Sequence, residues 1–170
     1  MKNLLFILLL IMGTQYGVAQ NNELTIEEFE SIEIGDVLFT DIKNTIGNET
    51  LLTNVLGSNI TFFDNNDDSN GEGTKKVLVN SDLEFVFTNI NSDEFNPELF
   101  YIKTDTIKIK NISISINNHY SILGGPLKIR NNNDGTKSII YTKLSGDCCA
   151  FVLETNESGF ITKIEYFVWT

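Results

Sequence analysis

Cys148 and Cys149 stand side by side and are the only cysteines in the chain. A disulfide that staples a fold joins residues far apart in sequence, so this pair cannot staple it. Three states stay open: a strained vicinal disulfide, a bond to another molecule, or two thiols. The spacing lacks the two intervening residues of thioredoxin-like and zinc motifs, which disfavours those roles. His119 is the single histidine, set in Asn117-Asn-His-Tyr120 with Ser121 behind it. A nucleophilic triad needs an acid to orient the imidazole, and no motif around His119 offers one. His119 and Tyr120 are read as residues at a helix start and as candidates for binding. Glu84, Glu154 and Glu165 could supply a general acid and base. Alternation along a strand turns Glu84 away from Phe85 and Phe87, and Glu154 away from Leu153. Solvated faces explain them, and no catalytic residue is assigned.

Two further segments carry possible ligands. Asn66-x-Asp68-x-Asn70-Gly71 copies part of a calcium loop, with oxygen donors at Asn66, Asp68 and Asn70. Its first position is Asn, and Val77 holds the place of the bidentate Glu, so a solvated hairpin loop explains the segment better. In the last strand, Phe160, Ile164, Tyr166 and Val168 share one face by alternation, and Ile161, Lys163, Glu165, Phe167 and Trp169 share the other. Phe167 and Trp169 are then either covered by another part of the chain or exposed as an aromatic patch that binds a partner. Coverage is preferred, because two packed subdomains must bury an interface somewhere.

The elements that position these residues recur. Asn54-Val-Leu-Gly57, Ile60-Thr-Phe-Phe63, an acidic loop, Gly73-Thr-Lys-Lys76 and Leu83-Glu-Phe-Val-Phe87 have counterparts in the same order downstream. These are Ser121-Ile-Leu-Gly124, Leu127-Lys-Ile-Arg130, an Asn/Asp loop, Gly135-Thr-Lys-Ser138 and Cys149-Ala-Phe-Val-Leu153. Upstream, Ile32–Phe39 aligns with Ile107–Ile114, each an alternating run broken by two polar residues, which is the pattern of a β-hairpin. The sequence therefore predicts an α+β fold of two tandem related subdomains, each a β-hairpin, a short helix and an antiparallel β-meander. The helices fall near Glu49–Leu56 and Asn118–Leu123, each stopped by Gly. Thr25-Ile-Glu-Glu28 has the form of a capping box. In this alignment Cys149 takes the slot of Leu83, which points it into the core and leaves Cys148 facing out.

Composition bounds the function. Twelve Lys and Arg against 23 Asp and Glu give a net charge of −11, the wrong sign for a nucleic-acid partner. Hydrophobic residues at 41% and aromatic ones at 11% suffice for a core, so acidity does not imply disorder. Lys2, the apolar run Leu4–Met12 and the small-x-small end Gly17-Val18-Ala19 form a secretory signal, with cleavage expected after Ala19. The run is about half the 20 apolar residues of a membrane span. The expected layout is a signal peptide at 1–19, a first repeat at 20–103 and a second at 104–170, packed as one body in the periplasm or outside the cell.

Thr25-Ile-Glu-Glu-Phe-Glu-Ser-Ile-Glu-Ile-Gly-Asp36, with Ile46-Gly47 downstream, resembles the opening of the repeats in β-lactamase-inhibitor-protein-like (BLIP-like) and SmpA/OmlA-like periplasmic domains. The match spans about residues 24 to 57. It departs from the pattern at Val37-Leu-Phe-Thr40, which reads as strand, and at Asn111 in the second repeat. The Asn- and Ile-rich composition and the Ala-Gln junction are also similar to secreted flavobacterial-type proteins of unknown function. The resemblance implies a binding or assembly module, and it carries over no catalytic residue and no cofactor. The expected function is a non-enzymatic interaction module for a protein or envelope component. An enzyme acting at a cleft between the repeats, or a calcium- or sugar-binding protein, is the alternative.

Overall fold

The computed structural model describes residues 22–65, 73–90, 97–125, 127–144, 146 and 148–169. The signal segment and the calcium-like positions Asn66, Asp68 and Asn70 lie outside the described residues.

Strand β1 (Glu23–Leu24) leads into helix α1 (Ile26–Glu30), then a hairpin of β2 (Glu33–Ile34) and β3 (Val37–Leu38). Helices α2 (Phe39–Asn44) and α3 (Glu49–Leu56) follow, then a meander of β4 (Thr61–Asn65), β5 (Thr74–Asn80), β6 (Leu83–Thr88) and β7 (Glu98–Thr104). A second hairpin, β8 (Thr106–Ile109) and β9 (Ile112–Ser115), precedes a 3-10 turn at Tyr120–Leu123. The chain closes with β10 (Ile129–Asn131), β11 (Lys137–Lys143), β12 (Cys149–Thr155) and β13 (Ile161–Val168). The fold is α+β with antiparallel sheets, apart from the parallel pair β1·β11.

Local chemistry accounts for these elements. The Thr25 hydroxyl accepts from the Glu28 amide at 3.1 Å, and the Glu28 carboxylate accepts from the Thr25 amide at 2.9 Å, closing the capping box of α1. The Asn48 side chain caps α3 on the Leu51 amide at 3.1 Å, and Gly57 ends that helix at φ 90°. Between β8 and β9, Lys110 and Asn111 both take positive φ, as a two-residue I′ turn requires. Two expectations are corrected. Phe39, read as strand, opens α2 because Phe39 and Ile42, three apart, bury together on one helix face. The second helix reduces to a 3-10 turn, because the Asn117 amide and Asn118 carbonyl are committed to the Ile161 backbone at 2.8 Å each.

The large sheet runs β1-β11-β12-β13-β7-β6-β5-β4, with β10 also on β11, and the small one runs β3-β2-β8-β9. The two meanders thus join edge to edge at β13·β7, and the two hairpins at β2·β8. Glu33 pairs with Lys108 across the hairpin junction, and Ile102 with Tyr166 across the meander junction. The inner face carries one row from Phe62 through Val77, Phe85, Ile102, Tyr166 and Phe151 to Tyr141. Phe29 of α1 and Phe39 of α2 pack down on this row, with ring centroids of Phe39 and Tyr166 4.9 Å apart and of Phe29 and Phe151 5.6 Å apart. The core lies between the helices and this face.

The last strand departs from simple alternation. A register shift opposite Thr155 places Ile161 inside with Ile164 and Tyr166 and leaves Phe160 exposed. Among the described residues, no helix is long and apolar enough to cross a membrane.

Candidate functional site

The helices cover one face of the large sheet, and the opposite face carries two ordered rows. One runs Phe63, Lys76, Val86, Tyr101, Phe167, Ala150, Thr142 across strands β4 to β11. The other runs Thr61, Leu78, Glu84, Lys103, Glu165, Val152, Ile140. The first is mainly aromatic and aliphatic, and the second has alternating charge at its centre. Such cross-strand opposites attract and fix register.

At the junction of β13 and β7 the rows meet. Phe167 and Trp169 are T-shaped with centroids 5.1 Å apart, and Phe167 lies opposite Tyr101. Trp169 is 45% exposed and Phe167 is half-buried. The β13·β7 contact is not the covering of these rings expected from two packed subdomains, because those strands pair edge to edge. Beside them the Glu165 carboxylate accepts from the Tyr101 hydroxyl and from Lys163 Nζ at 2.7 Å, and its side chain is only 13% exposed. Burial first, and then Glu165, holds the Tyr101 phenol well above its ordinary range, while the hydrogen bond to Glu165 raises Lys163. On the same face Lys76 pairs with Glu84 at 2.9 Å.

Trp169 is anchored by its amide, which donates to the Cys148 carbonyl at 2.7 Å. Cys149 lies buried at the start of β12, and Cys148 is exposed. Their Sγ atoms are 2.8 Å apart, because a bend at Cys148 interrupts the alternation that would have separated them. The thiols border a cavity of about 320 Å³ lined also by Lys43, Glu98 and Tyr166. Burial, then its hydrogen bond with Cys148, pushes the Cys149 thiol up to about 11, against a smaller opposing pull from the Tyr166 hydroxyl and Lys43.

His119 and Tyr120 sit far from this junction. Their rings stack at 4.7 Å, Phe160 meets His119 edge-on at 5.4 Å, and Lys137 lies 5.2 Å from the Tyr120 ring centre. His119 Nδ1 contacts the Ser121 hydroxyl at 2.8 Å and accepts from the Ser121 amide at 3.2 Å, so the imidazole caps its own turn. Among the described residues no carboxylate is hydrogen-bonded to it. The three strand carboxylates, whose parities were expected to differ, share one face, and Glu84 and Glu165 each have a lysine partner. A second concavity of about 340 Å³ lies where β10 and β1 share the edge of β11, lined by Lys128, Arg130, Ser138 and Thr142 among others. Among the described residues, no cluster of His, Cys, Asp and Glu could hold a metal ion.

The structure thus brings Phe167, Trp169 and the cysteine pair into one neighbourhood and leaves His119 and Tyr120 apart. Sequence reasoning named Glu165 as a possible acid or base and missed Tyr101, its hydrogen-bond partner. Their meeting depends on pairing between β7 in the middle of the chain and β13 near its end, which no local pattern encodes. Compared with protein-family models, with curated proteins and with solved structures, the chain matches none.

Proposed function

We propose that the chain is an exported, non-enzymatic binding module built from two related units, which takes a protein partner on the open face of its large sheet. The observation that carries this reading is the aromatic row centred on Tyr101, Phe167 and Trp169, with an exposed Trp beside a fixed Glu165–Lys163 pair. Aromatic anchors ringed by paired charge are the usual make-up of an interface centre. The mirrored strand order about β13·β7 supports the two-unit reading, since a doubled unit joined edge to edge produces it. The leader Lys2–Ala19 supports export.

The test is capture from envelope and secreted fractions with the wild-type chain, Trp169→Ala, Phe167→Ala and a distant control, His119→Ala. A partner retained by wild type and His119→Ala, and weakened on the order of 30-fold by Trp169→Ala, supports the site. Recovery of nothing above background at low and high salt counts against the function, and equal recovery by all four variants counts against this face.

A further inference from the structure

Cys148 and Cys149 place two thiols within 2.8 Å, one open to solvent and one enclosed, beside a cavity of about 320 Å³. A disulfide bond requires about 2.0 Å, so closure must draw the sulfurs together and turn the peptide between these adjacent residues. The ring that closure forms contains the peptide between the two cysteines. The carbonyl of that peptide is the acceptor that holds the Trp169 amide at 2.7 Å. The next register pair, Cys149 with Val168, lies on the same strand junction. We propose that Cys148–Cys149 is a thiol–disulfide exchange site that takes an external disulfide, closes to an internal one, and in closing shifts Trp169 on the open face. The wider consequence, redox control of partner binding, rests on the binding reading above, whereas the exchange chemistry does not.

The steps balance. The exposed Cys148 loses its proton to solvent, and its thiolate attacks one sulfur of the external disulfide. That breaks the external S–S bond, forms a mixed disulfide on Cys148 and releases one thiolate, which takes up a proton. Cys149 then loses its proton and attacks Cys148 Sγ, forming the internal S–S bond and releasing the second external thiol. Two protein thiols are oxidised, and one disulfide is reduced to two thiols. The groups facing Cys149 are Cys148 at the bend before β12, Tyr166 on β13, Lys43 on α2 and Glu98 on β7. Because burial raises the Cys149 thiol, the closing step accelerates with alkalinity.

The experiment incubates the reduced full-length mature chain with oxidised glutathione. Mass spectrometry after alkylation follows the thiols, and the emission of Trp169, the only tryptophan, reports the face. The expected result is a monomer lighter by two hydrogens with both cysteines blocked, together with a changed emission spectrum. In Cys149→Ala the reaction should stop at a glutathione adduct on Cys148, and in Cys148→Ser no internal bond should form. Two alkylatable thiols, a persistent adduct in the wild type, or a disulfide-linked dimer would overturn the exchange site. Internal closure with unaltered Trp169 emission would overturn its link to the face. Neither measurement requires a partner, so their failure is distinct from failure of the capture experiment.

Discussion

Gly159 shows how tightly single positions are set around the one histidine. Its φ is +87°, and a Cβ there would lie 2.6 Å from both His119 Nε2 and Tyr120 Cε1. The glycine thus serves backbone conformation and ring packing together. Gly159→Ala should cost about 1–3 kcal/mol in denaturant unfolding, with His119 chemical shifts displaced in the folded protein. An unchanged midpoint would mean that the turn relaxes freely. His119 was legible as a residue at a turn, since a lone imidazole flanked by Asn and Tyr offers no catalytic grammar. Its ring stack was not legible, because Phe160 and Gly159 come from a turn on another strand. The cysteines divide in the same way. Burial of Cys149 followed from its place in the alternation with Phe151 and Leu153, whereas the close approach of Cys148 depends on a bend that alternation does not encode.

Among the elements, the short β1 depends most on side-chain chemistry. Asn22 is buried at 6% exposure, and its amide donates to the Lys128 carbonyl at 2.7 Å while its Oδ1 accepts from the Lys128 amide at 3.3 Å. The side chain takes the part of a backbone unit and bridges the gap between β1 and β10 along the edge of β11. Asn22→Ala removes both bonds and should cost about 1–3 kcal/mol. Hydrogen exchange at Thr142 and Leu144, whose amides donate to Asn22 and Leu24 at 3.1 and 2.7 Å, should accelerate selectively. Uniform exchange across the sheet would contradict a local role. The sequence carried α3 with its observed bounds, because Asn48 and Gly57 mark its two ends locally. It did not carry β1, a two-residue strand whose partner is remote, or α2, whose helical face becomes apparent only once Phe39 meets Phe151 and Tyr166.

For the whole molecule, three phenols ionise harder than in water. Burial raises Tyr101 and Tyr166 strongly and Tyr141 to about 12. Each is neutral in both folded and unfolded states below about pH 10. Above it the unfolded chain loses the protons first, so the stability tied to these protons is complete below pH 10 and is lost as pH rises through the folded values. Denaturant midpoints should fall steeply above about pH 10, and Tyr141→Phe should lessen that fall. An alkaline slope identical in wild type and variant would remove Tyr141 from this account. The antiparallel α+β character was legible in the alternation of the strands, but the edge-to-edge join of β7 and β13 was not. Face-to-face coverage was equally compatible with an apolar last strand until β7 and β13 were seen paired.

The Asn22 bridge also bears on how the chain reaches its native state. It ties two backbone segments 106 residues apart, and among the described residues β1 pairs with β11 alone. During synthesis β1 must wait until β11 has emerged before it can dock. Contacts of such high order slow folding and lengthen the interval in which sheet edges stay open. Under the proposed export, a chain that crosses a membrane before it folds suffers little from that delay, because this contact is needed only after arrival.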